Sequence, residues 1–89
     1  MATLYFSVNL ARQVECPDLV IEASSIAELF AHYFARYPKV RSYVLDDQGA
    51  IRKHVAVIAD GLNIRDRIQL SDLLNKDSEV YIFQALSGG

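Results

Sequence analysis

The chain has little cysteine, little proline and no tryptophan: one Cys, two Pro and four Gly in 89 residues. A lone Cys16 closes no internal disulfide, which suits a reducing compartment. No apolar run approaches the ~18 residues of a membrane span. Met1-Ala2-Thr3-Leu4-Tyr5 lacks the basic-then-apolar order of a secretory leader, so a cytoplasmic protein with no membrane partner is expected. Charge of one sign is also scarce. The net charge of −2 supplies no field for nucleic acid, and no nucleic-acid motif is present. No glycine-rich loop opens a helix, which excludes the phosphate-binding and dinucleotide fingerprints. Cys16, His32 and His54 lack metal-ligand spacing and form no Cys-His or Ser-His-Asp set. Asp46-Asp47 reads as a turn. The expectation is a protein that is not an enzyme by itself, with no bound cofactor and no metal.

What remains is a globular composition, 52% apolar and 22% charged, sized for one domain. Thr3 to Leu10 alternates, with Leu4, Phe6, Val8 and Leu10 on one side, and predicts a half-buried strand. Ala11 to Pro17 reads as a turn, and Asp18 to Glu22 as a second strand in a hairpin with the first. Ser25-Ile26-Ala27-Glu28 has the spacing of a helix-capping box. Ile26, Leu29, Phe30, Tyr33, Phe34 and Tyr37 then repeat on one helical face until Pro38 stops the helix. Lys39 to Asp47 suggests an irregular helical turn, and Asp46-Asp47-Gln48-Gly49 a chain reversal. His54 to Asp60 alternates, with Val55, Val57 and Ala59 inward. Asp60-Gly61 predicts a two-residue hairpin into Leu62-Asn63-Ile64. Ile68, Leu70, Leu73 and Leu74 suggest another brief helical turn before the last strand, Val80 to Ala85.

This order predicts an α+β domain with one long helix across one face of a mixed sheet. The first and last strands can pair in parallel, because the connection between them is long. With the helix on Leu4, Phe6, Val55, Val57, Val80 and Ile82, the other face would carry Ala56, Ile58, Tyr81 and Phe83, joined by Tyr5. Such an apolar patch reads as a partner surface rather than scattered exposure or a homodimer contact. Beyond it, Leu86-Ser87-Gly88-Gly89 is expected to be a flexible tail, residues 86–89, on a domain of residues 1–85. With no catalytic set elsewhere, the Gly89 carboxylate is the best candidate for chemistry.

The helix entry Ser25-Ile26-Ala27-Glu28-Leu29, its end Arg36-Tyr37-Pro38, the central His54-Val55-Ala56-Val57-Ile58-Ala59-Asp60-Gly61, and the close from Asp77-Ser78-Glu79-Val80 through Ala85-Leu86-Ser87-Gly88-Gly89 resemble the ubiquitin-like sulfur-carrier family. That family includes the small subunit of molybdopterin synthase, the thiamin sulfur carrier and a carrier of cysteine synthesis. The resemblance implies a β-grasp fold. It further implies that an ATP-dependent activating enzyme adenylates Gly89 and that a sulfur donor converts it to a thiocarboxylate for a sulfur-accepting synthase. Leu86, Ser87, Gly88 and Gly89 would then thread into the partner. Phe83 matches an aromatic at the activating-enzyme interface of molybdopterin-type carriers, and Tyr81, Ile58, Ala56 and Leu86 are placed near it by geometry. Gln84-Ala85 stands where those carriers often have prolines, and the ending is closer to the cysteine-synthesis type. Two alternatives share the sequence: a modifier joined through Gly89 to lysines, and a plain interaction module.

Overall fold

The computed structural model describes residues 1–84. Its spine is the aromatic-faced helix predicted from the six-residue apolar stripe. In chain order the elements are β1 (Ala2–Phe6), α1 (Val8–Gln13), β2 (Leu19–Ile21), α2 (Ile26–Arg36), α3 (Pro38–Val44), β3 (Val55–Ala59), β4 (Leu62–Asn63) and β5 (Glu79–Gln84). Helix α2 begins where capping predicts. The Ser25 hydroxyl accepts the Glu28 N–H at 3.1 Å, and the Glu28 carboxylate accepts the Ser24 N–H at 2.8 Å. Two further N–H groups of its first turn, those of Ile26 and Ala27, donate to the carbonyls of Asp72 and Leu70. Ile26, Leu29, Phe30, Tyr33 and Phe34 are buried, and Tyr37 is half-buried at the C-cap.

The five strands form one mixed sheet in the order β2-β1-β5-β3-β4. The first and last strands pair in parallel at the centre, Leu4 beside Val80 and Phe6 beside Ile82, as expected. Strand β3 lies antiparallel on the other side of β5. Leu4, Val55, Val57, Val80 and Ile82 are all buried, and the Phe6 ring packs against Tyr33 of α2, tilted by 41° with centroids 5.0 Å apart. Tyr33 buries its ring completely and donates its hydroxyl to the Pro17 carbonyl at 2.7 Å. Burial pushes that hydroxyl far above its ordinary pKa, so it remains a donor.

Three expectations need correction. The first strand does not run to Leu10: it ends at Phe6, and Ser7 caps a short helix, α1, where a strand and then a turn were expected. Leu10 is buried from that helix and Val8 is 66% exposed instead of inward. Leu10 lies four residues after Phe6 and six after Leu4, so both periods reach it; the Ser7 side chain, accepting the Leu10 N–H, decides for helix. Second, residues 38–44 form a full helix, α3, with Pro38 at its first turn, where proline is pre-organised. Helix α2 remains the longest of the three helices among the described residues. Third, Ile68 to Leu74 is not helical. The Asp66 carboxylate accepts the N–H groups of Ile68, Gln69 and Ser71, and Leu70 sits at φ 60°, which ends any helical turn. Leu70 is buried, whereas Ile68 and Leu73 are largely exposed.

The Asp60-Gly61 hairpin is as predicted, with φ of 51° and 85° at its two central residues. Positive φ at both positions matches the right-handed twist of the flanking strands, which Asp-Gly tolerates. Ser78, a buried polar residue, braces this turn: its hydroxyl donates to Asp60 Oδ2 at 2.7 Å and accepts the Asn75 N–H at 2.8 Å.

Candidate functional site

Strand β5 is the central strand on which the candidate surface is built. Val80 and Ile82 point under α2 and are buried. Their alternates Tyr81 and Phe83 therefore emerge on the uncovered face, 39% and 40% exposed. Register then sets their neighbours. Tyr81 lies opposite Ile58 on one side and Tyr5 on the other, and Phe83 lies opposite Ala56. All five residues named from the sequence pattern are thus brought onto one face. The rings of Tyr5 and Tyr81 stack at 4.6 Å with 15° between planes, and Tyr81 and Phe83 follow at 6.1 Å and 19°.

One polar group is tied into this face. The Tyr5 hydroxyl donates to Glu79 Oε2 at 3.3 Å. Partial burial, then the neighbouring Glu79 carboxylate, raises the Tyr5 pKa, so the phenol stays neutral. The arrangement can present a row of aromatic faces and half-buried aliphatic side chains to another protein, with the Tyr5–Glu79 pair as its one described side-chain hydrogen bond.

Among the described residues no cluster of three His, Cys, Asp or Glu side chains could hold a metal. His32, on α2, and His54, in the turn before β3, are both exposed. Cys16 is buried, and desolvation, followed by the Asp18 charge, raises its thiol pKa. A buried protonated thiol is inert. Among the described residues no helix is long and apolar enough to cross a membrane. Leu86, Ser87, Gly88 and Gly89 lie outside the described residues.

Sequence reasoning missed the residues that hold the end of β5. The Gln84 N–H donates to Ser7 Oγ at 3.4 Å, and its side-chain oxygen accepts from Gln13 Nε2. The Ser7 N–H also donates to the Ile82 carbonyl at 2.9 Å. Helix α1 and its cap therefore clamp the last described turn of chain before residue 85. The available signal was Ser7 three residues before Leu10, an N-cap spacing masked by the strand-like alternation around it.

A mixed sheet in this order, crossed on one face by a helix, is the β-grasp fold, and it places the chain among the ubiquitin-like proteins. More narrowly, the ThiS family matches residues 10–89, and the chain belongs to that family, within the ubiquitin-like sulfur carriers its sequence resembles. Solved structures agree on the fold. SAMP1 from Haloferax volcanii superposes with a TM-score of 0.77 at 18% identity, over 99% of this chain and 98% of that one. The BexX/CysO complex of Amycolatopsis orientalis contains a chain matching at 0.81 and 12% identity, with 100% of both covered. Urm1 from Sulfolobus solfataricus matches at 0.68 and 11%, over 92% of this chain and 97% of that one. At these identities the likeness is one of fold. No curated protein matches the sequence.

Proposed function

We propose that this protein is a sulfur carrier whose Gly89 carboxylate is the group that reacts. The carrying observation is that the ThiS family match runs through residue 89 and so takes in Leu86-Ser87-Gly88-Gly89. The chemistry divides between the chain and its partners. A carboxylate is a poor electrophile. In an activating enzyme its oxygen displaces pyrophosphate from ATP and forms an acyl-adenylate. Sulfur from a donor then displaces AMP, leaving a thiocarboxylate, and a synthase receives that sulfur.

The chain contributes geometry. Residues 85–89 follow directly on Gln84, and five extended residues span about 17 Å. Gly88 and Gly89 have no Cβ, which suits passage through a narrow channel. Ordering each costs ~1–2 kcal/mol of backbone entropy. Docking through Phe83, Tyr81, Ile58 and Ala56, beside Gln84, offsets this cost. The carrier supplies cofactor synthesis of the molybdopterin or thiamin kind, or cysteine synthesis, and Gln84-Ala85 in place of prolines favours the last.

The test is intact mass after incubation with a ThiS-family activating enzyme, ATP and a sulfur donor. Replacement of one terminal oxygen by sulfur is expected, and removal of Gly88 and Gly89 abolishes it. Lysine-linked adducts that survive reducing denaturation would instead establish the modifier reading. Full function without Gly88 and Gly89 would establish the plain interaction module.

A further inference from the structure

The open edge of β2 points to a second interaction site, on the side of the molecule away from β3 and independent of the Gly89 chemistry. β2 is one of the two edge strands of the sheet, and among the described residues it pairs with β1 alone. The Thr3 N–H donates to the Ser78 carbonyl, so the backbone of Thr3 faces β5 and that of Ala2 and Leu4 faces β2. Ala2 and Leu4 are in register with Ile21 and Leu19, which leaves the N–H and C=O of Val20 turned to the open edge. The backbones of the flanking Asp18 and Glu22 likewise make no hydrogen bond among the described residues.

The side chains along this edge define what fits. Val20 lies opposite Thr3, so it stands on the face turned away from α2, and it is 58% exposed. Two residues to either side, Asp18 and Glu22 are both exposed; Asp18 Oδ1 accepts the Phe6 N–H at 3.2 Å, and its other carboxylate oxygen has no hydrogen bond among the described residues. An incoming strand would meet acid, aliphatic, acid on that face. Between the edge and α2 runs a groove of about 470 Å³, lined by Val20, Ile21 and Glu22 on the strand side and by His32, Ala35 and Arg36 on the helix side. The small Ala35 leaves room there for side chains of the incoming strand.

We infer that β2 accepts an extended peptide segment by strand addition, and that the segment is basic, apolar and basic at alternate positions. Backbone pairing with Val20 supplies the hydrogen bonds, and the alternating side chains supply the selection. A second copy of this chain fits poorly. Antiparallel pairing of two β2 strands about Val20 sets Asp18 of each copy opposite Glu22 of the other, and like charges directly opposed are destabilising.

The test uses the full chain labelled for amide NMR and a capped synthetic peptide, Lys-Val-Ile-Val-Lys, with no activating enzyme present. Saturable shifts are expected at Asp18 to Glu22 and at His32, Ala35 and Arg36. The peptide with both lysines replaced by glutamate should bind roughly tenfold more weakly. N-methylation of the central isoleucine should abolish binding if its N–H pairs with Val20. Glu22→Lys, at an exposed position that should leave the unfolding midpoint unchanged, should weaken the lysine peptide and improve the glutamate one. Absence of shifts, shifts centred on Tyr81 and Phe83, equal binding of both peptides, or self-association through β2 would each overturn the inference.

Discussion

Phe83 lies directly across the β3–β5 ladder from Ala56, so a large ring stands beside a single methyl group on the uncovered face of the sheet. The small neighbour leaves the ring 40% exposed while its strand stays anchored through the buried Val80 and Ile82. Phe83→Asp should therefore leave the fold intact, with a stability change within about 1 kcal/mol. Affinity for the proposed activating enzyme should fall by roughly 30-fold or more, as for a central aromatic anchor. Circular dichroism melts and a binding titration read the two effects separately. An unfolded variant would contradict the register of β5.

Ser7 ends one element, starts the next and touches a third. It caps α1 and accepts the Gln84 N–H. Ser7→Ala should cost about 1 kcal/mol through the cap. It should also speed hydrogen exchange at Gln84 more than at Val80, two positions on the same strand. Gln13→Ala, which removes only the side-chain contact to Gln84, should produce the second effect with little of the first.

Ser78 is buried between two partners, Asp60 and Asn75. Ser78→Ala leaves the Asn75 N–H without its acceptor and removes the donor to Asp60. A loss of about 1–3 kcal/mol is expected in chemical denaturation. Gly61→Ala, at φ 85°, should cost about 1 kcal/mol through strain, although nothing lies within 4 Å of the added methyl.

Asp66 gives a pH signature. Hydrogen bonds from Ser71, first from its side chain, and from the Gln69 backbone lower its pKa from 3.8 to about 2. A carboxyl whose folded pKa lies below its unfolded value stabilises the fold above the unfolded value, and that contribution is lost as pH falls through the folded one. The melting temperature should therefore decline between about pH 4 and pH 2 in part through this residue. Asp66→Asn should lower it at neutral pH, and the gap between the two proteins should close across that window.

How legible these features were depended on how many forces agreed at each position. In α2 the capping box, the 3.6-residue apolar repeat and Pro38 all indicate the same boundaries, so the helix could be read directly. The same holds for the Asp60-Gly61 turn, where few other residue pairs tolerate positive φ at both positions. At Ser7 to Leu10 two periodicities fit the same leucine, and only the cap hydrogen bond separates them. At Ile68 to Leu74 the spacing of apolar residues indicates a helix. The Asp66 carboxylate, collecting several backbone N–H groups, holds the chain in a turn instead.

The sequence by itself determined the alternation that sends Val80 and Ile82 one way and Tyr81 and Phe83 the other, because strand geometry has a period of two wherever the strand lies. It also determined the membership of the family, since residues 10–89 carry its pattern. Only the tertiary structure decided that Tyr5, Ile58 and Ala56 lie beside those rings, because register depends on which strands meet. It alone placed Ser7 and Gln13 against Gln84, 77 and 71 residues away, a contact no local pattern encodes. It alone left β2 at an edge of the sheet, with Val20 unpaired on one side among the described residues, because strand order follows from how the long connection folds the last strand into the middle.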